Sequence, residues 1–470
     1  MSDKNIPLVV DVDGSLLKSN LLLETLWAAL GKDFFATVWL VITSLSSRAK
    51  LKRKLSELAK LDISLQPVNS EVLSLCEAAA DSGSRVILAS GSDQQMIDAL
   101  AMHLKIEGEH YGSDGVHNLT GKNKAAMLID EFGEYGFDYI GNAAPDLKIW
   151  KHAHSRIVVG PTKNLMKKVN KLGRPVQVVG ETWEVSALIK GIRPFQWIKN
   201  ALLLVPVLAA HTTDLSAWLH VFLGIVSFSA GASTIYIVND LLDLEADRLH
   251  PRKKFRPFAA ANVPINIAMT ASILLALLAL ALGAMISWGF VGVVSLYMMT
   301  SMAYSFRLKR MRWVDIFLLA WLYTLRVLAG IVAATVALSG WLLVLIFAAF
   351  LSLGAVKRMT ELAKAKTDAQ LPGRGYARSD MDDLFNISVM AAVISVGIFL
   401  AYTFSPTATA LYSNLWVLRL ASIPIAAWLL RMTLLGRRGQ QDYDPVVFAA
   451  RDKIGLALVL VTGVLVLLAA

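Results

Sequence analysis

Hydrophobic and polar residues are distributed unevenly along this chain of 470 residues. Up to about residue 190, short apolar stretches alternate with polar ones, as in a soluble domain. From residue 195 onward, long apolar stretches follow one another, and each approaches the roughly 20 residues that a helix needs to cross a bilayer. We predict nine spans, the first of them interrupted by Lys199, at 196–212, 217–238, 264–284, 287–304, 313–334, 340–357, 386–405, 413–432 and 453–470.

The loops between these spans alternate in charge. Loops that follow odd-numbered spans contain no Lys or Arg, whereas loops that follow even-numbered spans are basic. The basic loops lie at 248–256, 307–312, 357–378 and 437–453. Because basic loops remain in the cytoplasm, we expect a multi-pass protein of the inner (cytoplasmic) membrane, with a cytoplasmic N-terminal domain and its C-terminus on the outer side.

One further apolar stretch, Phe34–Leu45, is too short to span a bilayer. Basic residues follow it at Arg48, Lys50, Lys52, Arg53 and Lys54. The stretch can be a helix that lies on the inner leaflet or a buried helix of the soluble domain, and the pattern does not separate the two.

Composition agrees with a membrane protein, since 55% of the residues are hydrophobic and only 17% are charged. The excess Lys and Arg behind the net charge of +10 lie in short loops between spans, so we expect no nucleic-acid partner. Cys76 is the one cysteine, which excludes an internal disulfide and favours a reducing compartment. The first residues show no pattern of a cleaved signal peptide.

Polar clusters follow three predicted strands of the N-terminal region. In chain order they are Asp11-Val12-Asp13-Gly14, Ser90-Gly91-Ser92 and Gly141-Asn142 with Asp146, and a turn with Lys124 precedes the third. Strands that alternate with helices form a parallel sheet, and ligands bind at the carboxyl ends of its strands. We therefore expect these side chains to meet at one edge of the sheet.

Residues 6–160 resemble the haloacid-dehalogenase (HAD) phosphatases through these motifs. The resemblance implies an α/β domain at 1–165, with a Rossmannoid parallel sheet and a helical cap at 21–80, followed by a linker and amphipathic lead-in at 166–192. It implies Asp11 as phosphoryl-accepting nucleophile, Asp13 as general acid/base and Ser90 and Lys124 as phosphate ligands. Asp11, Asp13 and Asp146 would bind Mg²⁺.

One position departs from the HAD pattern. The family usually has Asp where this chain has Asn142, which removes a metal-binding charge. The domain can therefore be an active phosphatase, or a degenerate one that is kept for regulation or docking.

An acidic cluster ends the second predicted span. On a helix, Asp243 and Asp247 are neighbours one turn apart and Asn239 lies one turn earlier, with Asp240 beside them. Three crowded carboxylates are unfavourable at a membrane unless a cation binds them. Mg²⁺ prefers one or two carboxylates plus phosphate oxygens, so this cluster predicts a Mg²⁺–diphosphate site.

Basic residues follow the acidic cluster. Lys253 and Arg256, after His250-Pro251, offer donors suited to diphosphate oxygens. Glu245 and Arg248 are interpreted as solvated residues of the helix end.

The pattern N-D-x-x-D-x-x-x-D-x-x-H-P-x-K-x-x-R-P, which begins at Asn239, resembles the first signature of the UbiA-type prenyltransferase superfamily. The resemblance covers about 190–470. It implies an all-α polytopic membrane domain at 193–470 with nine transmembrane helices. It also implies Mg²⁺ held by Asp240, Asp243 and Asp247, and an isoprenoid in a lipid-facing channel.

The region after the sixth span separates two branches of this superfamily. Aromatic prenyltransferases carry a second Asp-rich motif there, whereas this chain has Lys357-Arg358-x-x-Glu361 and Gly373-Arg374-Gly375-Tyr376. The basic motif resembles the branch that transfers phosphoribose from phosphoribosyl diphosphate (PRPP) to a polyprenyl phosphate. PRPP carries an additional 5-phosphate, which requires additional cations. The segment Ser379–Asp383 is also compatible with the aromatic-type motif, so the aromatic prenyltransferase branch remains an alternative.

Other polar residues can line the same pocket. They are Arg193, Lys199, Asn200, Tyr304, Lys309 and Asp315. Arg326 lies well inside the fifth span, where an Arg is costly, and we expect it to bind a substrate phosphate. Arg419, near the outer end of the eighth span, is interpreted as a snorkelling residue.

The sequence is compatible with three functions. The first is a Mg²⁺-dependent enzyme that joins PRPP to a polyprenyl phosphate and releases diphosphate, while the HAD domain removes the 5-phosphate. The second is prenyl transfer to 4-hydroxybenzoate or a quinone precursor. A lipid or solute carrier agrees less well, because carriers place their sites at the membrane midplane in broken helices.

Overall fold

The computed structural model describes residues 6–44, 47–173, 175–365, 374–442 and 444–470. Its contacts divide the chain into two compact units. The first comprises Met1–Ile192 and Tyr236–Ser272, and the second comprises Arg193–Ile235 and Ile273–Ala470. The segment that carries the acidic motif therefore packs with the N-terminal region, although the sequence places it in the membrane domain.

A parallel sheet forms the centre of the N-terminal region. Its strands are β1 (Leu8–Val10), β2 (Val86–Asp93), β3 (Tyr111–Ser113), β4 (Asp138–Gly141), β5 (Arg156–Val159) and β6 (Val176–Val179). They lie in the order β3-β2-β1-β4-β5-β6, and every pairing is parallel. The predicted parallel sheet is confirmed, and its sixth strand lies beyond the predicted domain end at residue 165.

Both faces of the sheet are buried, which explains why its strands are uniformly apolar. Val10 and Leu88 belong to one hydrophobic cluster, whereas their neighbours Val9 and Ile87 belong to the cluster on the opposite face. The helices of this region are α1 (Leu21–Lys32), α2 (Phe34–Ser44), α3 (Arg48–Ala59), α4 (Ser70–Asp81), α5 (Gln94–Leu104), α6 (Lys122–Phe132), α7 (Leu147–Trp150), α8 (Lys163–Asn170) and α9 (Val185–Ile192). The first four lie between β1 and β2, where the helical cap is expected.

The remaining chain is helical. Its helices are α10 (Val205–Ala209), α11 (Leu215–Leu242), α12 (Leu244–Leu249), α13 (Ile265–Ile286), α14 (Trp288–Phe306), α15 (Val314–Ala334), α16 (Gly340–Lys364), α17 (Met381–Tyr402), α18 (Pro406–Leu411), α19 (Leu415–Leu420), α20 (Ser422–Arg437), α21 (Pro445–Ala449) and α22 (Lys453–Ala469). Within the described residues, seven helical segments are long and apolar enough to cross a membrane. These results confirm a polytopic membrane domain.

The predicted count of nine spans is not confirmed. The first predicted span divides into a 3₁₀ segment, Pro194–Leu204, and the short α10. Pro206 lacks the amide hydrogen that a continuous α-helix would use, which accounts for the break between these two segments. The last predicted span forms α22, an apolar helix of 17 residues that is shorter than the other seven segments.

A buried ion pair joins the cap to the segment after α11. Two nitrogens of the Arg248 guanidinium donate to the Glu24 carboxylate, at 2.6 and 3.1 Å, and Ser19 Oγ donates to the same carboxylate. The Glu24 and Arg248 side chains are 1% and 7% exposed. The interpretation of Arg248 as a solvated residue is therefore wrong, because Glu24 lies 224 positions earlier and no local pattern indicates their contact.

Glu245, the other residue interpreted as solvated, accepts a hydrogen bond from the backbone N–H of Asp62 at 2.9 Å. This contact is exposed. It places a second link between the cap and α12, close to the Arg248 ion pair.

We expect Arg248→Ala to weaken the docking of α1 strongly. Removing one partner leaves the Glu24 carboxylate buried without its countercharge, which costs about 3–5 kcal/mol. Hydrogen–deuterium exchange of the α1 amides, measured in detergent, should become faster, because local opening becomes easier. Arg252→Ala removes an exposed cation from the same loop and serves as the control. Equal protection of α1 in the two variants would contradict the assigned role of the ion pair.

Candidate active sites

The first site lies at the carboxyl ends of β1, β2 and β4. Asp11 is buried and its Oδ1 accepts a hydrogen bond from Lys124 Nζ at 2.6 Å, while Ser15 Oγ donates weakly to Oδ2 at 3.4 Å. Burial raises the pKa of the Asp11 carboxyl to about 7, against the lowering effect of Lys124, and the neighbouring carboxylates Asp146 and Asp13 raise it further. Lys124 therefore favours the ionised form of Asp11, and burial opposes it.

Asp13 connects two strands and the cap. Its Oδ2 accepts hydrogen bonds from Ser90 Oγ at 2.8 Å and Ser92 Oγ at 2.7 Å. Its Oδ1 accepts from the backbone N–H of Leu21, the first residue of α1, at 2.7 Å. The predicted Ser90 is thus in place, and Ser92 is a second hydroxyl that the sequence analysis did not assign.

Asp146 is held by a buried tyrosine and two backbone amides. Tyr139 Oη donates to Asp146 Oδ1 at 3.0 Å and accepts from Lys124 Nζ at 3.1 Å. The N–H groups of Asn142 and Ala143 donate to Asp146 Oδ2 at 3.1 and 3.0 Å. Tyr139 was missed because an aromatic residue in a buried strand is typical of a core position.

The cap contributes two cations that were also missed. Lys52 Nζ donates to the backbone carbonyl of Gly91 and, at 2.7 Å, to Asn118 Oδ1. Burial lowers the pKa of Lys52, and the nearby Asp13 opposes that effect. Arg53 pairs with the buried Asp93 at 2.7 Å. The sequence signal was the basic run after α2, which we considered only in relation to the membrane.

The second site lies at the end of α11. The helix ends at Leu242, and Asp243 caps α12 while its carbonyl still accepts from the N–H of Asp247 at 2.7 Å. Arg256 Nη1 bridges two of the predicted acids, at 3.2 Å from Asp240 Oδ1 and 2.5 Å from Asp247 Oδ2. Lys253 Nζ lies 3.8 Å from Asp247. The predicted acids and cations are therefore close together and pair with each other.

Mg²⁺ is the cation that both resemblances imply. Across the described residues, no group of three or more His, Cys, Asp or Glu side chains is arranged to hold a metal ion. The α11 end nevertheless has suitable donors, since Asn239 Oδ1 is buried with no hydrogen-bond partner in the described chain. Hard oxygen donors of this kind suit Mg²⁺. The ligand sets Asp240–Asp243–Asp247 and Asp11–Asp13–Asp146 remain predictions.

The third group of site residues belongs to the second unit. Arg358 is fully buried, and its guanidinium donates to both carboxylate oxygens of Asp315, to Glu361 and, at 3.1 Å, to Tyr304 Oη. Tyr304 Oη donates to Asp315 Oδ1 at 2.8 Å. The structure thus brings together four predicted residues, but it shows Arg358 already engaged by protein acceptors.

Arg374 adds a partly exposed cation to this network. Its Nη1 lies 3.4 Å from Tyr304 Oη, 3.4 Å from the Lys309 carbonyl oxygen and 3.8 Å from Asp315 Oδ1. Tyr376 is fully buried, and its hydroxyl accepts from the Trp313 N–H at 3.1 Å. Gly373, which begins this predicted motif, lies outside the described residues.

Two lysines of the second unit differ in their partners. Lys199 forms an ion pair with Asp444, a residue that the sequence analysis missed. Lys357 is half-buried, and the carboxylates of Asp444 and Glu361 are close enough to act on its charge. Its predicted role in binding a substrate phosphate stays a prediction.

Arg326 is buried in α15, as predicted, and its donors are used by the protein. It donates to Asn200 Oδ1 at 3.0 Å, to the Leu322 carbonyl at 2.8 Å and to Tyr297 Oη at 3.0 Å. Asn200 in turn donates to Ser229 Oγ at 3.0 Å. Its predicted role in phosphate binding stays a prediction, and its contacts are those of a residue that joins helices.

The acids that could form an aromatic-type second motif do not converge. Asp382 is 78% exposed in its side chain and pairs with Arg437 at 2.8 Å. Asp380 and Asp383 pair with Arg312, at 2.9 and 3.4 Å. The three acids therefore pair with two different arginines and form two separate ion-paired groups.

A helical membrane domain with clustered acids and cations at helix ends is typical of membrane-embedded transferases. The chain belongs to the UbiA prenyltransferase family, whose model matches residues 201–468. It is an enzyme of the transferase class that this family comprises.

Known proteins resemble the whole chain and its parts. An uncharacterized protein (y4nM) of Sinorhizobium fredii is 32% identical over 96% of this chain and 88% of its own length. The decaprenyl-phosphate phosphoribosyltransferase of Mycolicibacterium smegmatis is 36% identical over 46% of this chain and 70% of its own length. A substrate-bound phosphoserine phosphatase structure is 15% identical, with a match that covers 40% of this chain and 99% of that chain and a TM-score of 0.28. The parallel sheet of the N-terminal region agrees with the Rossmannoid sheet that the HAD resemblance implies.

We expect Gly14→Ala to impair the first site more than it impairs folding. Gly14 has φ +80°, and a Cβ there would lie 2.1 Å from Asn142 Nδ2. The positive φ costs about 1–2 kcal/mol for an alanine, and the displaced Asn142 should lower phosphatase turnover by about 10²-fold. Turnover is measured with p-nitrophenyl phosphate.

Gly83→Ala is the matched control, because Gly83 has φ +84° and open space around its Cβ position. It should lose similar stability and keep its turnover. If both variants lose turnover equally, backbone strain and not the Asn142 contact explains the effect.

Proposed function

We propose that this chain transfers 5-phosphoribose from PRPP to a polyprenyl phosphate and releases diphosphate. The observation that carries the proposal is the basic cluster of Arg358, Arg374 and Lys357, where the aromatic branch has acids. Relatives named decaprenyl-phosphate phosphoribosyltransferase, from three genera and 33–36% identical, support the same branch. The exposed, arginine-paired Asp382 and Asp383 argue against a second acidic metal site.

The proposed reaction is a displacement at the anomeric carbon of PRPP. A phosphate oxygen of the lipid forms the new bond to this carbon as the bond to the diphosphate oxygen breaks. Asn239, Asp240, Asp243 and Asp247 would hold Mg²⁺, which offsets the charge of the departing diphosphate when bound. Arg256 and Lys253 would donate to the diphosphate oxygens. The basic cluster, including Lys357, would bind the 5-phosphate.

The HAD-like domain would act on the product. We propose that Asp11 accepts the 5-phosphate from the lipid-linked ribose phosphate, while Asp13 protonates the leaving hydroxyl. Lys124 and Ser90 would bind the phosphate oxygens, and water would then hydrolyse the phosphoaspartate. The positions of these side chains at adjoining strand ends support this order of roles.

The proposed location is the inner membrane, with the N-terminal domain and basic loops in the cytoplasm and the C-terminus outside. Basic loops on one side of the spans support this orientation. Lys366, which contributes to the third basic loop, lies outside the described residues. PRPP is a cytosolic metabolite, so this orientation would give both sites access to their substrates.

Incubation of the purified protein with Mg²⁺, PRPP and a polyprenyl phosphate should yield a lipid that has gained a pentose unit, detected by mass spectrometry. Asp247→Asn should lower this yield by about 10²–10³-fold, because charge stabilisation at the leaving group is lost. Asp382→Asn, which alters an exposed acid, is the control. A parallel reaction contains a prenyl diphosphate and 4-hydroxybenzoate, and a prenylated ring in that tube would replace our proposal by the aromatic branch.

In the same assay, Asp11→Asn should retain the phosphate on the lipid-linked pentose. The amide cannot act as the phosphoryl acceptor, so the product of the variant should be heavier by one phosphate group. Asp81→Asn, at an exposed helix end, should give the product of the unmodified chain. Identical products from the Asp11→Asn variant and the unmodified chain would exclude the coupled phosphatase step.

A further inference from the structure

Helix α2 of the cap exposes its apolar residues and buries its polar ones. Phe35, Val38, Trp39 and Ile42 are 81%, 36%, 70% and 60% exposed. Their spacing places them on one face of the helix. Thr37 and Ser44 are its buried residues. A helix of a water-soluble domain has the opposite pattern, so this face requires an apolar environment.

The position of α2 indicates what that environment is. A Cβ at Gly31, in the last turn of α1, would lie 3.5 Å from the carbonyl oxygen of Leu242. Leu242 ends α11, an apolar helix of 28 residues that is long enough to cross a bilayer. Helix α2 begins at Phe34, only a few residues after this contact, and therefore starts near the end of a helix that is long enough to cross a membrane.

The length and charge of the segment agree with a helix on a membrane surface. Eleven residues extend roughly 16 Å, about half of the hydrocarbon thickness, so α2 cannot span it. The exposed cations Arg48 and Lys50 follow in α3, which packs against α2. A helix with an apolar face, a short length and adjoining cations binds at the headgroup layer of anionic lipids.

We propose that α2 lies in the headgroup layer of the leaflet at which α11 ends, with Phe35, Val38, Trp39 and Ile42 directed toward the acyl chains. The cap is then a lipid-binding surface. The partner is the bilayer itself, and the apolar face becomes buried without any second protein.

The contact between α2 and the lipid also determines which substrates reach the HAD-like site. This part of the inference rests on the proposed phosphatase activity. Helix α3 packs against α2 and carries Lys52, which donates to the Gly91 carbonyl at that site. Helix α3 thus links the lipid-binding helix to the candidate phosphate-binding residues. The site would accordingly take phosphate monoesters of lipids that reside in the membrane, in preference to soluble ones.

A spin label tests the lipid contact without reference to activity. The full chain with Cys76→Ser and Ile42→Cys is labelled with a nitroxide and placed in nanodiscs of phosphatidylglycerol and phosphatidylcholine. We expect the label to be reached by oxygen and shielded from a water-soluble nickel chelate. A label at Met102→Cys, an exposed site of α5, is the control and should be open to the chelate. Equal chelate access at the two positions would overturn the proposal.

A pair of substrates tests the selection. In the same nanodiscs, Trp39→Asp combined with Ile42→Asp should slow hydrolysis of a polyprenyl-linked phosphate monoester by roughly tenfold, because surface confinement is lost. Hydrolysis of p-nitrophenyl phosphate should not change, and Met102→Asp should affect neither substrate. Equal loss on both substrates would overturn the selection. No hydrolysis by the unmodified chain would refute the phosphatase and the selection, and the label would still decide the lipid contact.

Discussion

A charged side chain that is buried away from water destabilises the fold unless an opposite charge lies beside it. Buried ion pairs that meet this requirement connect the elements of this protein. Lys124 forms an ion pair with Asp11 in the α/β region. Arg248 pairs with Glu24 between the cap and the α11 end, and Arg358 pairs with Asp315 among the membrane helices. Each pair is buried, and each joins elements that are far apart in the sequence. The pairs that support the fold therefore also determine where the candidate site residues lie.

The acids and cations of the α11 end illustrate how such pairing prepares a site for a ligand. Arg256 contacts Asp240 and Asp247, so these acids are neutralised by a guanidinium, a group that is suited to phosphate oxygens. Under the proposed function, a metal ion and a diphosphate would exchange these partners without leaving a charge uncompensated. Asp11 and Lys124 form a comparable pair, although the folds around the two sites differ.

Motif spacing sufficed to predict the parallel sheet, the polytopic helical region and most of the clustered site residues. Asp11, Ser90, Lys124 and Asp146 meet because the carboxyl ends of parallel strands share one edge. Contacts over long distances could not be predicted, since nothing near Arg248 indicates Glu24 and nothing near Lys199 indicates Asp444. The first predicted span failed because hydropathy measures apolar length and does not register the backbone break at Pro206.

The first unit is discontinuous, and this has a consequence for how the protein is made. Glu24 is synthesised 224 residues before Arg248, a delay of roughly 10–45 s at the usual rates of translation. Throughout this interval the cap lacks the cation that neutralises its buried carboxylate. Helix α11 precedes that cation in the chain, so the N-terminal region reaches its final packing only after the first long apolar helix has been synthesised. Maturation of the N-terminal region thereby depends on synthesis of part of the membrane domain.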